Sequence, residues 1–316
     1  MSLPASPETF VTTNAAETES TRVATGLPST SPETSLDASP RTSRAAASTD
    51  EAIQLRLHEL EQLATELEQL EEDDAADEFA AAPLNLPSDF LLSIVVPVYN
   101  ERTTIRAIIA KLLALPLPKE IILVDDGSTD GTRDELAALA GLPGLRIQLH
   151  DQNRGKGAAL RTGFAHVSGT IALVQDADLE YDPRDIPGLL VPILNDEADV
   201  VYGSRFLEQR HTGSSSFHQF GNRLLTVASN ITTGLKLTDM ETCYKVVRAS
   251  ALRDLEIRQN RFGFEPEVTA KLARRGLRFQ ELPIRYRART WDAGKKIGWR
   301  DAINAFFCIV RYAWVD

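Results

Sequence analysis

Four carboxylates stand at alternate positions in the stretch VQDADLEYDP, Val174–Pro183: Asp176, Asp178, Glu180 and Asp182. They follow the apolar run Thr170–Leu173, where a buried strand is expected to run out. Like charges this close repel unless some stay protonated or a cation sits among them. If the strand continues through them, Asp176 and Asp178 share a face, because alternate strand residues do. Two converging carboxylates make a hard oxygen site. Such a site suits Mg²⁺ or Mn²⁺, which keeps waters and takes phosphate oxygens as further ligands. An EF-hand does not fit, because the sixth position from Asp176 is Tyr181 rather than glycine and no helix–loop–helix surrounds it. A phosphatase-type aspartyl nucleophile also uses D-x-D after a strand, but on the first strand and with Thr or Val at the fifth position. Here that position is Glu180, on the fourth strand.

Two other stretches carry the same kind of signal. In VDDGSTDGT, Val124–Thr132, Asp125 and Asp126 end an apolar run and can reach a base or ribose. Gly127 permits a tight approach, and Ser128 or Asp130 can cap the next helix. The plainer reading is a capped turn. In NRGKGAAL, Asn153–Leu160, backbone amides at a helix start, with Lys156, suit an anion. It is not a P-loop, since no GK[ST] follows four spacers, and it lacks the third small residue of a dinucleotide fingerprint.

The elements that must hold these stretches are legible. LLSIVVPVY, EIILVDD, LRIQLH and TIALVQDAD read as buried strands. ERTTIRAIIAKLLAL, TRDELAALA and GKGAALRTGFAHV read as amphipathic helices, with Ile105, Ile108, Ile109, Leu112 and Leu113 on one face of the first. Continuous apolar strands alternating with such helices predict an α/β fold, a mostly parallel sheet sandwiched by helices. Ligands of such sheets sit outside the carboxyl ends of the strands. That puts residues 97–101, 125–130, 150–157 and 176–180 along one rim.

The 316-residue chain carries a net charge of -11, but the imbalance is local. Between Glu51 and Ala80 there are eleven acids against Arg56 alone; the remainder is close to neutral, and Lys271–Arg300 is basic. Residues 1–50, rich in Ser, Thr, Pro and Ala, read as a disordered tail. Residues 51–72 read as an acidic amphipathic helix, with Ile53, Leu57, Leu60, Ala64 and Leu67 spaced as in heptads. It serves either a short coiled-coil homodimer or a lone helix resting on the domain. Residues 73–89 read as a linker, and 90–316 as the folded domain. The start has no basic n-region or apolar h-region, so no secretory signal is expected, and no run is long enough to span a bilayer. Cys243 and Cys308 suit a reducing cytoplasm as buried small hydrophobes.

Taken together, VVPVYNE, ILVDDGSTDGT, NRGKGAAL and QDADLEYDP resemble, in order and spacing, the family 2 glycosyltransferases of GT-A fold, a Rossmann-like architecture. VVYGSRF (Val200–Phe206), TDMETCYKVVR (Thr238–Arg248), FGFEPEVTAKLARRG (Phe262–Gly276) and YRARTWDAGKKIGWRD (Tyr286–Asp301) resemble the branch containing dolichyl-phosphate mannose synthase and its bacterial polyprenyl-phosphate relatives. The resemblance spans about residues 90–312 and leaves out the first ninety.

That resemblance implies roles. Pro97, Tyr99 and Glu101 line the nucleotide pocket, Asp126 meets base or ribose, and Lys156 and Ala177 belong to the same nucleotide-sugar site. Asp176 and Asp178 hold the Mg²⁺ or Mn²⁺, with Glu180 reaching it as well. Arg205 and Arg223 take the acceptor phosphate, and Lys295 closes over the donor diphosphate. Asp178, Arg205 and Lys295 are the expected catalytic set. Gly294, where relatives often have Ser, leaves the diphosphate clamp open in detail. The activity implied is metal-dependent inverting transfer of a hexose, mannose from GDP-mannose favoured, to a polyprenyl or dolichyl phosphate. A phosphate acceptor is already a nucleophile, and arginine forks suit it. A saccharide or small-molecule hydroxyl would need a base, for which Asp239 and Glu241 are the candidates. A non-catalytic scaffold working through its N-terminal helix is the third reading; the intact D-x-D and Lys295 argue against it. Nucleic acid is not expected, because the basic cluster has no aromatic interleaving. Ile303, Phe306, Phe307, Val310 and Trp314 share a helical face too short to span a bilayer. That face is expected to pack on the sheet with its open end near lipid, helped by the basic stretch. The implied location is cytoplasmic, peripheral on the inner face of the membrane.

Overall fold

The computed structural model describes residues 41–71, 84–207, 211–212, 216–288 and 299–314. Most of the expected tail and linker, Gly294, and the Arg289–Lys296 segment with Lys295 therefore lie outside the described residues.

The first helix, α1 (Arg41–Glu71), begins about ten residues before the expected boundary. Its apolar stripe does not wait for a partner chain. Leu60 and Ala64 are buried in the main core, with Ile53, Leu57 and Leu63 packed beside them. Arg56 reaches the carbonyl of Ala140, and Glu59 pairs with Arg106 at 3.5 Å. Of the two readings of this stripe, the structure shows the helix resting on its own domain.

From there the chain alternates β1 (Leu92–Val98), α2 (Ile105–Ala114), β2 (Lys119–Asp125), α3 (Thr132–Leu139), β3 (Leu145–Leu149), α4 (Lys156–Phe164), β4 (Ile171–Val174), α5 (Ile186–Leu194) and β5 (Val200–Ser204). The second half adds β6 (His211–Thr212), α6 (Ser216–Thr233), β7 (Lys245–Arg248), α7 (Ala249–Leu252), α8 (Phe264–Arg274), β8 (Phe279–Pro283), β9 (Tyr286–Arg287) and α9 (Trp299–Trp314). Seven strands form one sheet in the order β3-β2-β1-β4-β7-β5-β8, and β6 and β9 form a short parallel ribbon. β3, β2, β1 and β4 run parallel, as do β5 and β8. Only β7 is reversed, antiparallel to both β4 and β5. The central strands are apolar on both faces, and Leu92, Ile94, Val95, Val96, Leu173 and Val201 are fully buried, as a sheet covered on both sides requires. Each such side chain contributes about 1.5–3 kcal/mol. α2 buries Ile105, Ile108, Ile109 and Leu112, the expected face.

The C-terminal helix corrects its expectation. α9 packs on α6 and α8 rather than on the sheet, through Ala305, Cys308, Ile309 and Tyr312. Ile303, Phe306, Phe307, Val310 and Trp314 are all exposed. Within the described part of the basic stretch, several cations pair with acids of the domain. Lys271 is buried against Glu267, Arg278 binds Asp196 and Asp199, and Arg285 binds Asp185. Both cysteines are buried free thiols, as expected.

Candidate active site

The parallel strands bring their carboxyl ends into line: Val98 lies beside Asp125, and Asp125 beside Leu149. Asp125 and Asp126 are both buried there. Asp125 accepts from the Ser128 amide and from Arg133 Nε at 2.7 Å. Asp126 accepts from the Arg154 amide at 2.9 Å, the Gly155 amide at 2.6 Å and His150 Nδ1 at 2.7 Å. With the Asp126 carboxylate only accepting, Nδ1 carries the proton, and Nε2 hydrogen-bonds with the hydroxyl of Thr162 at 2.9 Å. Asp126 therefore ties the 153–155 loop to the end of β2. His150 was not singled out in the sequence; its only signal was its place at the end of β3.

The glycine-rich stretch is also structural in its present form. Two of its amides are spent on Asp126, and the Ala158 amide donates to the Asn260 carbonyl at 3.0 Å. A Cβ on Gly157 would stand 2.3 Å from the Gln259 carbonyl oxygen. Gly127, at φ +77°, faces the same loop, where a Cβ would lie 2.5 Å from the Asn153 amide nitrogen. Close approach, rather than an open anion cradle, explains both glycines. Gly157→Ala is expected to cost about 1–3 kcal/mol by forcing the 258–261 loop away, read as a lower urea midpoint at unchanged m-value.

The acidic stretch departs from strand geometry. β4 ends at Val174, and Leu179 takes φ +61°, so Asp176 and Asp178 lie in a turn and the shared-face argument does not apply. Each acid has its own partner. Lys156 Nζ lies 2.9 Å from Asp176, the Glu180 amide donates to Asp178 at 3.2 Å, the Tyr286 hydroxyl donates to Glu180 at 2.7 Å, and Arg184 binds Asp182. Burial alone would push Asp182 up, but Arg184 holds it below the usual range. Among the described residues no three acids, histidines or cysteines stand as a metal cage. Glu180, the third of the expected ligands, accepts the Tyr286 hydroxyl through Oε2. Asp176 and Asp178 are two carboxylates, the number Mg²⁺ commonly takes from protein when phosphates and waters complete its shell. Ala177 is buried and offers its backbone only.

Lys156 joins this corner to α8, lying 3.3 Å from Glu265. Burial would lower its ammonium pKa, but Asp176 and Glu265 hold it well above the ordinary value. Pro97 and Tyr99 are half-buried at the rim, and Glu101 is buried with the Thr104 hydroxyl at 2.9 Å.

Because β7 is reversed, the residues that precede it reach the same rim. The Cys243 amide donates to the Tyr181 hydroxyl at 3.0 Å, and the Tyr244 hydroxyl donates to Gln175 at 2.7 Å. Asp239, fully buried, grips Arg205 at the end of β5: Nε at 2.6 Å, Nη2 at 2.8 Å and the Arg205 amide at 3.1 Å. Glu281, not anticipated, holds the Thr238 and Asp239 amides at 2.6 and 3.0 Å. The Arg205 guanidinium lies 5.1 Å from the Tyr286 ring centre, and Tyr286 in turn binds Glu180. Asp239 thus orients Arg205 through three hydrogen bonds. Arg223 is exposed on α6 and, among the described residues, is joined to none of this network.

Glu241 differs from its neighbours. Its Oε1 is buried without a hydrogen-bond partner. Burial first, then Glu265, pushes its carboxyl up to about 8. The folded state then binds more protons than the unfolded chain between the ordinary carboxylate range and pH 8, so this group's contribution to stability falls as pH rises through that window. Glu241→Gln removes the slope. Its stability relative to wild type is expected to improve from pH 5 to pH 8, by up to about 1.4 kcal/mol per unit, in urea unfolding at pH 5, 6.5 and 8.

The rim of this sheet thus carries an acidic corner held by a lysine and an arginine held by a carboxylate. Residues 93–256 match the family model described as glycosyl transferase family 2, and the chain belongs to that family. It is 29% identical over 233 residues to undecaprenyl-phosphate 4-deoxy-4-formamido-L-arabinose transferase of Edwardsiella ictaluri, covering 71% of this chain and 69% of that protein. It is 29% identical over 214 residues to dodecaprenyl-phosphate galacturonate synthase of Rhizobium johnstonii, covering 65% and 61%. The chain thus matches six- to seven-tenths of these relatives' own length. Its fold matches crystal structures of glucosyl-3-phosphoglycerate synthase from Mycobacterium tuberculosis, one in complex with Mn²⁺, uridine diphosphate and phosphoglyceric acid. That match has a TM-score of 0.56 and 20% identity, and covers 72% of this chain and 80% of the other. The GT-A architecture and the glycosyltransferase class stand on these matches.

Proposed function

We propose that the protein is a divalent-metal-dependent, inverting glycosyltransferase that moves a sugar from a nucleoside-diphosphate donor to a polyprenyl phosphate. The observation that carries this reading is Arg205, fixed by Asp239 with part of its fork left for a ligand, in one rim with Asp176 and Lys156. A guanidinium so oriented suits a phosphate oxygen. The names of the two polyprenyl-phosphate relatives support the same acceptor.

Asp176 and Asp178 would hold Mg²⁺ or Mn²⁺, which supplies charge stabilisation for the departing diphosphate. Lys156 adds a second positive charge at that corner, and Lys295 a third. Pro97, Tyr99 and Glu101 line the nucleotide side, and Arg205 aims the acceptor phosphate at the anomeric carbon. Its oxygen forms the new bond as the bond to the diphosphate breaks; no proton has to be removed. A hexose from GDP-mannose is the first donor to test.

α6 and α9, packed together, expose Phe220, Leu224, Val227 and Ile231 on one and Ile303, Phe306, Phe307, Val310 and Trp314 on the other. No helix among the described residues is long and apolar enough to cross a membrane. This double apolar face suits burial in the headgroup boundary, with Arg223 beside Leu224 reaching phosphate level. Phe306→Asp with Phe307→Asp is expected to lower sedimentation with liposomes at least about tenfold, and to slow transfer to long-chain but not to water-soluble short-chain acceptors.

A hydroxyl acceptor is the second reading, favoured by one observation: Glu241 sits near the pKa of a working general base. The deciding experiment is transfer by the purified protein with Mn²⁺, a short polyprenyl phosphate, and GDP-mannose, UDP-glucose or UDP-N-acetylglucosamine. Chelator-sensitive sugar-lipid is the expected product. Donor hydrolysis without lipid product would move the hydroxyl reading ahead.

A further inference from the structure

Glu267, on α8, is a fully buried acid. A charge is costly in that position unless it is paired, so its partners show what it is kept for. One carboxylate oxygen accepts from the Arg258 amide at 2.8 Å, and the other from the Gln259 amide at 2.7 Å. Lys271, one turn further along α8, pairs with it at 3.0 Å and also donates to the Glu256 carbonyl. A carboxylate that accepts from two successive amides fixes a loop much as a cap fixes a helix start, and charge-assisted bonds of this kind are about twice as strong as neutral ones.

The loop fixed in this way, residues 257–260, is the seat of α4. The Ala158 amide donates to the Asn260 carbonyl at 3.0 Å. The Arg161 fork reaches the Ile257 carbonyl at 3.0 Å and Asn260 Oδ1 at 2.7 Å. A Cβ on Gly155 would stand 2.3 Å from the Asn260 carbonyl oxygen, the same closeness that Gly157 shows to the Gln259 carbonyl. The start of α4 is thus in closer contact with the loop than a side chain at either glycine would permit. The loop also meets α9: Gln259 Nε2 donates to the hydroxyl of the fully buried Tyr312 at 3.0 Å.

α4 opens with Lys156. From that one anchor its ammonium meets two acids, Asp176 at 2.9 Å and Glu265 at 3.3 Å. Where the helix start lies therefore decides whether both contacts are held. A misplacement of about 1 Å can cost about 10²-fold in rate even when its source is remote from the chemistry.

We propose that Glu267 is a positioning residue for Lys156: by fixing the 257–260 loop it sets the start of α4, and through it the positive charge that the donor diphosphate meets. This rests on the glycosyltransferase reading, which places the diphosphate at the Lys156–Asp176 corner. Glutamine at position 267 separates this role from packing. It keeps the shape and one acceptor oxygen, but its amide nitrogen is a donor and faces a backbone N–H that it cannot satisfy. One of the two loop amides then loses its partner, and the contact with Lys271 loses its charge.

The test is a double-mutant cycle on the full chain, with Glu267→Gln, Lys156→Ala and the two combined, read as the affinity for UDP and for GDP with Mn²⁺ by calorimetry. Lys156→Ala is expected to weaken nucleotide binding about tenfold, Glu267→Gln about fivefold, and the double variant no further than Lys156→Ala alone, because both losses act through one ammonium. A merely structural role for Glu267 predicts that the two losses multiply. Tyr312→Phe removes the α9 contact of Gln259 and keeps the ring; it is expected to weaken nucleotide binding about two- to threefold with liposome sedimentation unchanged. It also serves as the independent variant if Glu267→Gln does not fold. Leu112→Ala, a core truncation at the end of α2 that leads away from the rim, is the control for lost stability; it is expected to lower the melting temperature and leave nucleotide affinity unchanged. Losses that multiply in the double variant, or unchanged affinity in both Glu267→Gln and Tyr312→Phe, overturn the proposal. So does Lys156→Ala that binds nucleotide as tightly as wild type. If wild type binds neither nucleotide with Mn²⁺, the glycosyltransferase reading itself fails, and the proposal with it.

Discussion

Asp176→Asn and Asp178→Asn, made separately, are each expected to slow sugar transfer about 10²–10³-fold at saturating donor. The acidic corner has two carboxylates to offer a divalent ion, so each removal halves the protein's share of its ligands. Lys156 already neutralises Asp176 at 2.9 Å, and the metal has to share or displace that contact. In Asp176→Asn the lysine keeps Glu265 at 3.3 Å, so the fold is expected to survive and the deficit to lie in turnover. The measurement is kcat across a Mn²⁺ titration. A rightward shift of the metal curve with a lowered plateau is expected. A rate unchanged in both variants would remove the metal from the proposed mechanism.

The second large effect is expected at Asp239. Asp239→Asn breaks a buried ion pair while leaving the guanidinium in place, and such losses cost about 3–5 kcal/mol of stability. Because Asp239 also fixes the Arg205 amide at 3.1 Å, the variant should lose aim as well as stability. The acceptor KM is expected to rise about 10–100-fold, with donor KM nearly unchanged. Arg205→Lys keeps the charge and loses the fork, so it should show the same split with a smaller loss of melting temperature. An increase in donor KM of equal size would place Arg205 on the donor instead of the acceptor.

The scaffold was legible because its signal is local. The apolar runs around Ile94, Leu123 and Leu173 state a doubly covered sheet, and Ile105, Ile108, Ile109 and Leu112 state which way α2 faces. The chemistry of the rim depends on contacts the sequence does not display. NRGKGAAL reads as a phosphate cradle until the 258–261 loop, about a hundred residues on, is seen to fill the space that its glycines leave open. QDADLE reads as a continuing strand until Leu179 turns left-handed. β7 is four residues long, too short to be seen by periodicity, yet its reversal sets Asp239 against Arg205. Those two residues were weighed for rival acceptors, phosphate and hydroxyl; they prove to be one device. Glu265 carried no signal beyond an acid at a helix start, where acids are common.

The Arg205–Asp239 pair also closes a chain excursion. The two residues are 34 apart in the chain, and α6 lies between them. The pair is the neck of that excursion, with Glu281 behind it as a collar. Lengthening a loop whose ends are fixed costs little, about 0.6 kcal/mol for each doubling. The segment beyond the neck can therefore be lengthened or re-faced at small cost while the Arg205–Asp239 pair that closes it stays in place.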